Sequence, residues 1–183
     1  MKTVDAANKN EVAVIHSNLL RKFPPLYADI WKIGCQLGLR ISDLLALEFS
    51  HIDYEQRAIK LIEQKTGKAK YLRLNASALE VMKKRAVEFP SDRYLFQVHT
   101  NRAKNKPISR ISVSRVFKQV GEMIGVSINT HSMRKSRGKA MFDDGVPVAV
   151  IAKVLNHSSE SATLRYLGIT EEQVLKTYDD YEL

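Results

Sequence analysis

Apolar residues recur at helical spacing over most of this chain. In "FPPLYADIWKIGCQLGL", Leu26, Ile30, Ile33 and Leu37 fall on one face. Pro24 and Pro25 suit the first turn of that helix, and Gly38 suits a left-handed cap at its end. Ser42 is placed to cap a short helix through Leu44, Leu45 and Leu47. The period changes in "RAIKLIEQKTGKAKYLRL". Ile59 and Leu61, then an alternation from Tyr71 to Leu74, predict two strands joined by a turn at Gly67.

Helical spacing then returns. Ser77 and Glu80 read as a capping box for "SALEVMKKRAVEF". Val113, Val116, Phe117, Val120 and Ile124 form a second amphipathic stripe. Thr130 is placed to cap a helix through "HSMRKSRGKAMF", which Gly145 ends. Pro147 opens another, with Val148, Ile151, Ala152 and Leu155 inward. Ser158 or Ser159 caps a short helix carrying Arg165 and Tyr166, and Thr170 with Gln173 boxes the last. "VHTNRAKNKPISR" reads as an exposed basic loop. The fold class expected is mainly α with a small antiparallel β-sheet.

Composition narrows the function classes. At 183 residues and 44% hydrophobic, the chain is long and apolar enough for one domain with a core. Its net charge of +9 favours a polyanionic partner, nucleic acid ahead of an acidic membrane. The single cysteine, Cys35, excludes an intramolecular disulfide and reads as a small buried hydrophobe. There is no apolar run of membrane-spanning length and no apolar signal core at the N-terminus, so a cytoplasmic protein is expected.

The stretch "NTHSMRKSRGKA" crowds His131, Arg134, Lys135, Arg137 and Lys139 into twelve positions. His131 and Arg134 are three apart and share a helix face. Arg40 follows a helix end, Lys65 sits at a hairpin tip, and His157 and Tyr166 lie nine residues apart. Singly, each has an ordinary reading as a solvated cation, a structural histidine or a rim tyrosine. Together they are the groups that metal-free attack on a phosphodiester requires. Arginine forks bind two nonbridging phosphate oxygens and stay charged. Tyrosine serves as nucleophile, histidine moves protons, and a lysine on a mobile turn can protonate the leaving oxygen.

"GLRISDLLALEFSHID", "EQKTGKAKYLRL" and "THSMRKSRGKAMFDDGVPVAVIAKVLNHSSESATLRYLGIT" resemble the three signature regions of the tyrosine recombinases, or phage integrases. The resemblance runs from about Leu26 to Ile169 and implies that family's catalytic-domain fold. It makes Arg40 and Arg134 the phosphate clamp, Lys65 the general acid on the 5′-oxygen and His131 the proton-transferring histidine. His157 would contact the phosphate, and Tyr166 would form a 3′-phosphotyrosyl bond. Asp43 takes the place of an acidic residue that orients the site. Lys68 and Lys70 share the hairpin with Lys65, which matches best by its "KT" context. Asn156 stands where the family has glycine, and Met133 where it has leucine.

The resemblance also implies site-specific recombination without metal or nucleotide. Double-stranded DNA would be the partner, a homo-tetramer on recombination sites the assembly and a monomer the free form, in the cytoplasm with the nucleoid. Lys135, Arg137, Arg102, Lys104 and Lys106 are expected to touch DNA backbone. Residues 1–183 are expected to be one catalytic domain from a longer integrase, without its N-terminal DNA-binding domain. The tail 167–183 would pack on a neighbouring protomer or fold back in cis. Three rivals stand beside this: a catalytically dead DNA-binding module, a type IB topoisomerase, and a metallohydrolase using His131, His157 and Asp143 or Asp144.

Overall fold

The computed structural model describes residues 6–100, 103, 105–169 and 171–180. Helix α2 (Pro25–Leu37) is its axis, apolar nearly all round. A helix of that kind must be enclosed. α1 (Lys9–Lys22) covers it through Ile15 and Leu19, and α4 (Ala76–Glu88) and α6 (Ser132–Asp143) close further sides. Trp31 is fully buried and meets Phe117 of α5 (Arg110–Ile124) edge to face, with ring centroids 5.3 Å apart. Asp29, also buried, pairs with Arg85 of α4 at 3.1 Å, and Arg85 donates on to the Leu95 carbonyl. Neither charge is therefore left without a partner in the core.

The sheet has three antiparallel strands in the order β1 (Ile52–Asp53), β2 (Ala58–Ile62), β3 (Ala69–Arg73). β2 pairs with β3 from Ala58 opposite Arg73 to Ile62 opposite Ala69. Gly67, at φ 64°, makes the turn, as expected from the sequence. Ile59 and Leu61 point inward from β2, and period two carries the next inward position to Glu63. The ends of the expected basic loop also pair, as β4 (Gln97–Val98) with β5 (Lys106–Pro107).

Three caps differ from expectation. Asn75, not Ser77, caps α4 by accepting from the Ala78 amide. α3 (Ile41–Leu45) starts at Arg40, with Ser42 inside it, and the arginine at the cap position has no side-chain oxygen to accept from the first turn. At α6, Asn129 accepts from the His131 amide and Ser132 Oγ from the Asn129 amide, while Thr130 is buried. Ser159 caps α8 (Glu160–Leu167), and Pro147 precedes α7 (Val148–Val154). α9 (Glu171–Asp180) follows; the box predicted from Thr170 and Gln173 lies outside the described residues. α1 had no counterpart in the sequence reading. Its capping box of Asn8 and Glu11 was the available signal. No described helix is long and apolar enough to cross a membrane.

At Gly34 of α2, an added Cβ would collide with Met133 Sδ and crowd Leu44. Helix propensity alone favours Gly34→Ala by roughly 0.5–1 kcal/mol. Met133 is fully buried and has nowhere to go, so the contact should win and destabilise the fold by about 1–3 kcal/mol. Urea unfolding of Gly34→Ala should therefore show a lower midpoint than the parent. A higher one would mean that the α2–α6 contact is loose.

Candidate active site

The candidate site is built where α2 ends. Gly38, at φ 60°, turns the chain back, and Arg40 follows in extended conformation at the head of α3. The turn leaves the Gly38 carbonyl without a helical partner. Arg134 of α6 supplies one, donating from Nη1 at 2.7 Å. That bond ties α6 to the end of α2 and holds a buried guanidinium beside Arg40. Arg40 donates through Nη1 to Glu63 Oε2 at 3.0 Å and through Nη2 to the Asn156 carbonyl at 3.3 Å.

Asn156 has φ 48°, a left-handed conformation that asparagine tolerates better than most residues. Its side-chain amide donates to the same Glu63 oxygen. The next residue, His157, bonds through Nδ1 to Thr163 Oγ1 at 3.0 Å. The Thr163 hydroxyl donates to the Ser159 carbonyl, so it accepts from Nδ1–H. The neutral ring then keeps its lone pair on Nε2. Tyr166, from the next turn of α8, meets His157 edge to face, with centroids 4.9 Å apart.

The electrostatics of these groups are coupled. Burial pushes the Tyr166 phenol up to about 12, against the pull of Arg134 and Arg40. Its hydroxyl is shielded from solvent without a well-aligned hydrogen bond. At pH 7 the resting phenol is therefore neutral. Burial also lowers His157, helped by Arg134 and Arg40. His131 is lowered by burial and by Arg110, Arg134 and Lys135. Both rings therefore stay neutral to lower pH than an ordinary histidine.

Arg40, Arg134, His157 and Tyr166 thus share one cluster, with His131 on its edge at the start of α6. Lys65 does not join it. It is exposed on the hairpin turn and, among the described residues, makes no hydrogen bond or ion pair. Lys70 is the hairpin lysine that reaches inward. Its Nζ donates to the Val154 carbonyl at 3.0 Å and lies 3.5 Å from Glu63. Burial first, then Arg134 and Arg40, lower its pKa, against the opposing pull of Glu63. Asp43 is buried but does not touch Arg40. Its Oδ1 accepts from the Gln64 amide at 2.9 Å, beside Lys65.

The residues expected at DNA backbone divide. Lys135 Nζ lies 5.5 Å over the Tyr166 ring, and Lys106 is exposed on β5. Arg137 is half-buried: its stem packs against Gly38 at the α2–α6 contact and its Nε is shielded. Arg102 and Lys104 lie outside the described residues. The carboxylates of the metal reading face lysines: Asp144 pairs with Lys9, and Asp143 with Lys139.

Sequence reasoning missed Glu63, Thr163 and the side-chain role of Asn156. Glu63 had a legible signal, because it continues the inward alternation of Ile59 and Leu61. A carboxylate at such a position needs buried partners. Here they are Arg40, Thr66, Asn156 and Lys70. Burial raises the Glu63 pKa, but the two hydrogen bonds and two cations outweigh that and hold it below the usual carboxylate value.

The model described as "Phage integrase family" matches residues 8–173. A probable integrase/recombinase of Bacillus subtilis, YoeC, is 33% identical over 79% of this chain and 78% of its own length. The tyrosine recombinase XerA of Thermococcus onnurineus is 28% identical over 80% of the chain, but the match spans only 52% of that relative. Most of the curated relatives are likewise matched over about half their length, such as the Acholeplasma phage L2 protein at 53%. A crystal structure of XerA recombinase superposes with TM-score 0.74 at 15% identity, covering 100% of this chain and 66% of that one. A Tn1549 transposon integrase in complex with circular intermediate DNA gives 0.78 at 15%, covering 99% and 67%.

Arg134 lowers the pKa of both His131 and His157, so its removal should raise both. In Arg134→Gln, NMR titration of the ring protons should find both midpoints above those of the parent. Unmoved midpoints would place the guanidinium out of reach of the two rings.

Proposed function

The chain belongs to the phage integrase family, and from that premise we propose that it is the strand-cleaving and rejoining domain of a site-specific tyrosine recombinase acting on double-stranded DNA. The observation that carries this is the edge-to-face contact of the Tyr166 ring with His157, with the phenol within electrostatic reach of Arg134 and Arg40.

In the proposed reaction, Tyr166 Oη attacks the scissile phosphorus and the P–O5′ bond breaks. The phenolic proton passes to neutral His131, and the departing 5′-oxygen takes a proton from Lys65. A 3′-phosphotyrosyl bond remains, and attack by a 5′-hydroxyl reverses each step on a new partner. The two arginines offset the charge on the nonbridging oxygens as the bonds exchange. His157, once protonated, can donate to one of those oxygens. Because the phenol is neutral at rest, its proton must leave as attack proceeds, which makes a nearby neutral imidazole necessary. Lys135, Arg137 and Lys106 are assigned to DNA backbone, with Arg102 and Lys104. The proposed assembly is a tetramer on recombination sites, formed from free monomers in the cytoplasm with the nucleoid.

A nicked duplex whose cleavage product diffuses away tests the chemistry. The chain should become covalently attached to the 3′ end, and Tyr166→Phe should abolish the adduct. An adduct that survived in Tyr166→Phe would move the nucleophile elsewhere. Relaxation of any supercoiled plasmid, without exchange at a defined site, would indicate a topoisomerase instead. Separately, Lys106→Gln should weaken DNA binding across sequences and reduce the salt slope of log K by about 0.9. An unchanged slope would remove Lys106 from the backbone contacts.

A further inference from the structure

Glu63 touches more of the site than any titrated group the proposed reaction uses. It is completely buried, and its carboxylate is met from four segments. Arg40 comes from the head of α3, Asn156 from the loop before α8, Lys70 from β3, and Thr66 from the hairpin turn. The Thr66 hydroxyl donates to Oε2 at 2.9 Å, the oxygen that also holds Arg40. On the other side of Lys65, the Gln64 amide donates to buried Asp43. The exposed turn 64–66 is therefore pinned at both flanks by carboxylates rooted beneath the arginines. Lys65 itself needs no contact to be placed, because its neighbours are placed for it.

We propose that Glu63 is a positioning residue that indexes the Lys65 turn to Arg40, so that leaving-group protonation and phosphate grip are assembled together. This rests on the strand-cleaving function proposed above. A neutral glutamine at 63 keeps the shape but loses the anion that draws Arg40, Lys70 and the Thr66 hydroxyl to one point. Thr66→Val is narrower. It removes the hydroxyl, with its bond to Glu63 and a longer one from the Lys68 amide, on an exposed turn, and leaves Arg40 on Glu63.

The test compares two nicked duplexes that differ in one atom, with oxygen or sulfur at the 5′-bridging position. A thiolate leaves without a proton, since a thiol's pKa is near ~8.5. Covalent adduct formation would be timed for the parent, Lys65→Met, Thr66→Val and Glu63→Gln. On the oxygen duplex, Thr66→Val and Glu63→Gln should each be slowed by on the order of tenfold or more, as expected when a general acid is displaced. On the sulfur duplex, Thr66→Val should recover to the parent rate, as Lys65→Met does. Glu63→Gln should recover in part, keeping the share of its defect that comes from a loosened Arg40. Equal defects on both duplexes, or none on the oxygen duplex, would overturn the positioning role. Failure of the parent to form an adduct on either duplex would instead overturn strand cleavage, and the positioning role with it.

Discussion

Two guanidinium groups and an ammonium cannot be gathered in one small space without an anion among them. Arg40, Arg134 and Lys70 each lower or oppose the charge of a neighbour in this cluster. Glu63 is the group that makes the gathering tolerable. Its burial would be costly alone, and so would theirs. Together the charges offset one another in part: Thr66, Asn156 and Arg40 all bond to Oε2, while Lys70 faces Oε1 at 3.5 Å. Two buried carboxylates, Glu63 and Asp43, against three cations still leave a positive excess, and that excess is what an incoming phosphate would meet.

The same excess acts on every proton in the cluster. It adds to the burial that keeps His131 and His157 neutral to lower pH than an ordinary histidine. It pulls against the burial that raises Tyr166. The resting tyrosine consequently stays protonated, while a phenolate formed during attack would be favoured by the charges around it. A site of this kind spends little on the ground state and more on the state in which charge has moved. The backbone serves that end too. Arg134 is fixed by the carbonyl that Gly38 leaves free, so helix termination and site assembly are one event.

The hairpin shows how far local pattern reaches. Period two along β2 and the turn at Gly67 were both legible, and β2 and β3 pair in the register that follows from them. The helices around Leu26, Val113 and Ile151 were equally plain, because burial on one face leaves a repeat. Caps were read less well at Thr130, Ser42 and Ser77. Several polar residues near each helix start could have served, and tertiary packing decides which is free to do so. Asn129, for example, caps from a position that sequence reasoning passed over, since Thr130 is drawn into the interior.

The sequence by itself determined the helical stripes, the hairpin, the excess of positive charge and the identity of the residues whose chemistry suits a phosphodiester. These depend on order and spacing along the chain, which local physics can read. Which carboxylate would face Arg40 was decided only in three dimensions. Asp43, three residues from Arg40, turned instead to the Gln64 amide, and Glu63, twenty-three residues away, took the arginine. The same holds for Lys70 reaching inward while Lys65 stays exposed, and for the Arg137 stem lying against Gly38. Side-chain partners at that range are chosen by which backbones are brought alongside, and no periodicity along one strand or helix records that choice.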